Sequence, residues 1–480
     1  MVQNKLFPTW AKAITQPATE FGLTPLPVIT GAIPTGLRGS LYYNGPARLE
    51  RGGRRAGHWF DGDGAVLAVH FTDTGATGVY RYVQTAGYQA EEKAGKFLFE
   101  TYGMTPRVPI WKQLGARPKN CANISVMALP DKLLALWEGG LPHALDLVNL
   151  ETFGLDNLGG LADSGAYAAH PKLDPQTQAI YNFGVTYGVK AVLHIYQCDR
   201  AGQIQQQAEI ELDGLPLIHD FVLAGNYLVF FIPPVRLNPV PYLARMACFG
   251  DSLQWQKEQG TQIIVIDKTT LKVVSRSTES PWFQWHFANG YTDASGCAVV
   301  HLVRYEDFQS NQFNKEVATG QTRTIAKGTL FSIRLDPQSG KAIEMRQLLD
   351  RSCAFPSVPP DRVGQESRFT YLLMHRFGVD IGQELYGAIA RFDHQTKTLT
   401  EADFGDNRYP MKAIYAVDAE NPEKGWVLTV VFDGNSCSSE VWIFEQEHLD
   451  AEPVCRLALP SVVSFGFGGT WKSASVANTF

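Results

Sequence analysis

Phe392-Asp393-His394-Gln395-Thr396 is the stretch that decides the fold: an apolar run ends in an aspartate, and a hydroxyl side chain follows before the next apolar run begins. The pattern recurs as Leu173-Asp174-Pro175-Gln176-Thr177, Ile266-Asp267-Lys268-Thr269-Thr270 and Leu335-Asp336-Pro337-Gln338-Ser339, with Val148-Asn149-Leu150-Glu151-Thr152 a looser fifth copy. An aspartate at a strand end accepts from the backbone two residues on, so each copy predicts an Asx-type turn closing an antiparallel hairpin. The four aspartates are spaced by 93, 69 and 57 residues. A hairpin that repeats with irregular insertions along one chain suits a β-propeller better than a sandwich.

The rest of the chain has the same all-β texture. Strands are predicted at 132–137, 221–232, 261–266, 298–305, 329–335, 369–375, 385–392, 426–432 and 440–444, and the 44 glycines and 27 prolines are spread throughout, with no linker. The 480 residues read as a single domain, 1–480, and 45% hydrophobic with 19% charged side chains excludes disordered, collagen-like and disulfide-stapled classes. A net charge of −6 without any basic run argues against nucleic acid. Seven scattered cysteines with no paired spacing read as buried thiols. The first thirty residues lack a signal-peptide pattern, and no apolar run reaches the roughly 18 residues of a spanning helix, so the expected location is cytoplasmic.

Two irregular apolar stretches interrupt the strands. One, 237–249, carries Leu237, Val240, Pro241, Tyr242, Leu243, Met246 and Phe249; the other, 101–120, includes Trp111. Each reads either as a packed excursion over the sheet or as an apolar patch that meets a membrane face or frames a lipid tunnel.

Among eleven histidines none lies within four residues of another, so a helix-borne metal site is ruled out. His170, His219 and His286 each begin or end an apolar run. In a propeller, such strand-end residues converge on the central axis, where distant histidines meet around one ion. Asp61 and Asp63 in HWFDGDG lack further carboxylates for calcium and read as turn formers.

GAIPTGLRGSLYYNGPA (31–47), HWFDGDGAVLAVHF (58–71), KNCANISV (119–126), LLALWEGGLPHALD (133–146), HPKLDPQT (170–177), LIHDFVL (217–223), WHFANGY (285–291), KGWVLTVVFD (424–433) and FGFGGTW (465–471) together resemble the carotenoid cleavage oxygenase family, most of all its apocarotenoid-cleaving branch. The resemblance implies a seven-bladed propeller with a loop and short-helix dome over the axial site. It also implies a non-haem Fe(II) held by four histidines, and O₂-dependent cleavage of a polyene double bond.

Carried over residue by residue, the family pattern places His170, His219 and His286 on three ligand positions and Glu138 behind His219. The fourth ligand position is Gly468, and the other two supporting carboxylates fall on Ala354 and Lys412. A charged lysine about 6 Å from a dication costs roughly 5 kcal/mol at an effective dielectric near 20. Three imidazoles still suffice for non-haem iron. Two readings follow from the resemblance: a dioxygenase with a three-histidine Fe(II) site acting on an apolar polyene and O₂, or a relative that binds a carotenoid or lipid without cutting it. Zinc on the same histidines is a third. In either of the first two, 237–249 is the segment for peripheral membrane contact.

Overall fold

The structure, a computed structural model, describes residues 7–106 and 117–474; Trp111 and its neighbours in the second apolar stretch lie outside the described residues. The five hairpin turns are built alike. In each, the aspartate N–H donates to the carbonyl five residues on, from Asp146 to Glu151, Asp174 to Ala179, Asp267 to Lys272, Asp336 to Lys341 and Asp393 to Thr398, at 2.8–3.0 Å. The fourth residue after the aspartate returns its own N–H to the aspartate carbonyl, and that residue (Leu150, Gln178, Leu271, Gly340, Lys397) is left-handed, with φ between 54° and 71°. The carboxylates of Asp174, Asp267, Asp336 and Asp393 cap the turn N–H groups as expected. The fifth copy is corrected by three residues: Asp146, not Asn149, opens it and accepts from Val148 and Asn149, both at 2.8 Å.

The hairpins at Asp146, Asp267, Asp336 and Asp393 form the outer parts of four of the seven blades, and the one at Asp174 joins the two inner strands of another. The first blade contains Phe21–Pro25, Gly75–Tyr82, Asp63–Thr72, Gly39–Arg48 and Gly468–Ser473, so a strand from each end of the described chain closes the ring. The second runs from Thr152–Leu155 to Ser125–Ala128, the third from Ile204–Leu212 to Lys172–Leu173. Blades four and five share one sheet through a single parallel bridge, Ala224 to Gly290, between their innermost strands Val222–Ala224 and Phe287–Thr292. The sixth has Cys353–Ser357 innermost, and the seventh is built around Gly425–Asp433, with Arg408–Pro410 and Ile414–Val417 pairing along its inner side.

The run predicted as one strand over 221–232 is two, Val222–Ala224 and Tyr227–Ile232, because Gly225, at φ +60°, and Asn226 turn the chain between them. Apolar side chains on alternating positions then fill the spaces between neighbouring blades: Phe183, Phe221 and Phe230 pack between the third and fourth, with ring centroids 5.2–5.6 Å apart. All seven cysteines are free and five are buried, but Cys297 is half-buried and Cys437 is exposed in the loop between Gly425–Asp433 and Ser438–Glu445. Among the described residues no helix is long and apolar enough to cross a membrane.

Candidate metal centre

Seven residues stand at or beside the heads of the innermost strands, one in each blade. In ring order they are Gly468, Ser125, His170, His219, His286, Ala354 and Lys412. The three histidines therefore come from consecutive blades, and so do the three positions at which the expected ligand or carboxylate is missing. Sequence separation hides this adjacency; ring order exposes it.

The histidines converge. Nε2 of His219 lies 3.0 Å from Nε2 of His170 and 3.4 Å from Nε2 of His286, and all three donor atoms fall within 4.8 Å of one another. Donors held at about 2.1 Å and a right angle around one ion lie about 3 Å apart, so this spacing fits a shared metal. Among the described residues no fourth histidine, cysteine or carboxylate joins them. Burial, reinforced by the neighbouring rings, holds His170 and His286 well below the usual imidazole range. They are neutral at pH 7, the form that ligates.

Glu138 places Oε1 2.9 Å from Nδ1 of His219. The corresponding support for His286 is absent, and Ala354 presents a methyl group. Next to it Phe355 adopts φ +47° immediately before Pro356, a strained backbone for a bulky residue, inside an irregular stretch of the strand. That bend brings the Phe355 ring to 4.8 Å from His286 and nearly parallel to Phe467, 6.5 Å away. A phenyl ring thus flanks the imidazole. Neither Phe355 nor Ser125 was singled out from sequence, although Ser125 lies within KNCANISV and Phe355 directly follows Ala354.

Gly468 is closed off as well. A Cβ built there would lie 2.5 Å from Cβ of Ser125 and 3.0 Å from the Ile124 carbonyl oxygen. Ser125 is itself tied down, its hydroxyl donating to the carbonyl of Ala169. Gly468→His is therefore expected to add no fourth ligand and to lower stability by about 1–3 kcal/mol through overpacking. Parallel metal titration and thermal denaturation read this; tighter metal binding without loss of stability would contradict it.

Two cavities are lined by residues at or close behind the axial positions. The larger, about 910 Å³, has His219 and His286 in its wall and is framed largely by apolar groups such as Phe60, Trp137, Trp285 and Phe465, with Glu138 and Glu209 among its polar lining. The smaller, about 220 Å³, is lined by the residues that follow the same axial positions: Lys172 after His170, Phe287 to Asn289 after His286, Pro356 to Val358 after Phe355, and Gly469 to Trp471 after Gly468. The chain thus crosses from one cavity to the other at the level of the histidines. The stretch 237–249 divides: Tyr242 and Phe249 line the large cavity, Leu237 is buried, and Val240, Leu243 and Met246 are 70–81% exposed. Asp61 and Asp63 are structural. Asp61 accepts from the N–H groups of His58 and Gly103 at 2.8 Å, and Asp63 contacts buried Arg51 and Lys119 at 2.8 and 2.5 Å.

A seven-bladed propeller with histidines from successive blades gathered on its axis defines a class, and comparison with known proteins gives the family. Residues 14–473 match the family model described as retinal pigment epithelial membrane protein. The chain is 30% identical over 455 residues to an apocarotenoid-15,15'-oxygenase of Synechocystis, covering 92% of each, and 26% identical over 450 residues to resveratrol cleavage oxygenase 1 of Aspergillus fumigatus, covering 86% and 85%. The crystal structure of a cobalt-substituted Synechocystis ACO superposes with a TM-score of 0.87 at 29% identity, over 97% of this chain and 98% of the other. The chain belongs to the carotenoid oxygenase family represented by that model.

Proposed function

We propose that the protein is an oxygen-dependent oxidoreductase that cleaves a double bond of an apolar conjugated substrate of the apocarotenoid class, with His170, His219 and His286 holding Fe(II). The observation that carries this is the convergence of three imidazole nitrogens, with His219 and His286 in the wall of a large aromatic cavity. Fe(II) on that triad supplies the oxygen activation that carbon–carbon cleavage requires. The protein's share is positioning. Glu138 fixes the tautomer and tilt of His219 through Nδ1. The rings of Phe60, Trp137 and Trp285 provide apolar faces for a polyene and keep water away from it. We assign the exposed Val240, Leu243 and Met246 to contact with a membrane face from which such a substrate enters. Replacing all three by serine should abolish co-flotation with liposomes, and flotation equal to that of the unaltered protein would remove this assignment.

The test of the activity is direct. Protein loaded with Fe(II) is mixed with an apocarotenal in air and under argon, and the polyene absorption is followed. Loss only in air supports cleavage. Stable binding without loss supports the second reading, a carrier, which Gly468, Ala354 and Lys412 favour because each removes something the family places around the metal.

Of these three changes, Ala354 is the one most open to reversal, since it lines the large cavity next to Phe355 and His286. Ala354→Glu is expected to tighten Fe(II) binding by about 10–100-fold by giving His286 a carboxylate partner. Anaerobic calorimetric titration measures it, and an unchanged affinity would show that His286 is oriented without such a partner.

A further inference from the structure

We propose that the small axial cavity behind the histidine plane is a binding site for a small inorganic monoanion of the halide class, held between Lys412 and Lys172. The cavity of about 220 Å³ is lined by both lysines and has no acidic side chain among its described lining residues. Lys172 is already paired: its Nζ donates to Asp220 Oδ1 at 2.8 Å. Asp220 has other donors too: Oδ1 also accepts from the Phe221 N–H at 2.8 Å and Oδ2 from the Phe287 N–H at 3.1 Å. Among the described residues nothing pairs with Nζ of Lys412. Two ammonium groups against one carboxylate leave one uncompensated positive charge in a narrow, partly open cavity.

An unpaired charge taken out of water is costly unless it acquires a counter-charge. Deprotonation is only a partial escape here, because burial and the nearby Lys172 lower the Lys412 pKa to about 8, which still leaves the ammonium form dominant at pH 7. The remaining route is a counter-ion. One net charge selects a monoanion, and the volume accommodates a halide with a few waters but not a large organic acid. Thr470, whose side chain is a hydroxyl, lines the same cavity. This site is separate from the proposed metal triad, and the inference concerns the protein without iron, since a nearby dication disfavours the Lys412 ammonium.

Crystals soaked in sodium bromide should show an anomalous peak inside the cavity within contact distance of Lys412 Nζ, and the peak should vanish in Lys412→Gln. In solution, replacing gluconate by chloride at constant ionic strength should raise the thermal midpoint of the unaltered protein, a shift that Lys412→Gln loses. Bromide found only on surface lysines of the unaltered protein would overturn the proposal without reference to any variant. So would an equal chloride response in the two proteins.

Discussion

His219→Ala is expected to empty the metal site and end oxygen-dependent cleavage while leaving the propeller folded. His219 is the middle of the triad: its Nε2 is the atom that approaches both other donors, and it alone has the carboxylate of Glu138 behind it. Without it two imidazoles remain, too few for the three-ligand minimum of non-haem iron sites. The loss of affinity should exceed the roughly 10–100-fold that removal of an outer partner such as Glu138 costs. Glu138→Gln provides that milder comparison in the same assay. Iron content per chain and the thermal midpoint separate loss of metal from loss of fold. Retention of about one iron per chain by His219→Ala would refute the triad.

The second large effect is acid sensitivity of the fold itself. His58, His143 and His375 lie away from the triad and are buried; burial lowers their pKa values to about 3, 4 and 4. His301 and His394 stack at 4.1 Å, and burial lowers both, His394 to about 4. Below the unfolded value of 6.5 the unfolded chain takes up protons that the folded chain refuses. Stability is therefore complete above pH 6.5 and is lost progressively as pH falls toward 4. By pH 5 each of the first three costs about 2 kcal/mol, together a large part of the 5–15 kcal/mol that typically holds a protein folded. Denaturant titrations from pH 7.5 to 4.5 should show this decline. His143→Leu should flatten it by about one proton, since His143 responds to burial alone and its Nδ1 has no hydrogen-bond partner among the described residues. A stability curve flat from pH 7 to 5 would contradict the assignment.

Much of the fold was legible because its repeated turn has a local cause. An aspartate that caps its own turn needs nothing from distant sequence, so four copies are recognisable in the sequence itself. The fifth was misframed because Asn149 imitates the capping residue, and only the ladder bonds of Asp146 settle the register. Blade number was a different matter, since it depends on which strands pair across long insertions, and only the family resemblance supplied it.

The site divides in the same way. His170, His219, His286 and Glu138 were found through motifs, and the structure brings them together. What the motifs could not convey is how the altered side of the ring is filled. Phe355 reaches His286 through a positive φ before a proline, which no propensity predicts. Ser125 closes over Gly468 from a strand more than three hundred residues away in sequence. The likeness of Lys412 to a lost carboxylate was visible, but its sharing of a chamber with Lys172 was not.

The closing strand Gly468–Ser473 has a consequence for biogenesis. Its partner Gly39–Arg48 leaves the ribosome long before it, so throughout the synthesis of the intervening blades the first blade carries a bare edge capable of recruiting foreign strands. Because loop-closure entropy grows only slowly with length, the delay weighs little on the finished molecule and heavily on the nascent one. The hazard is one of time, and it ends when Gly468–Ser473 docks on Gly39–Arg48.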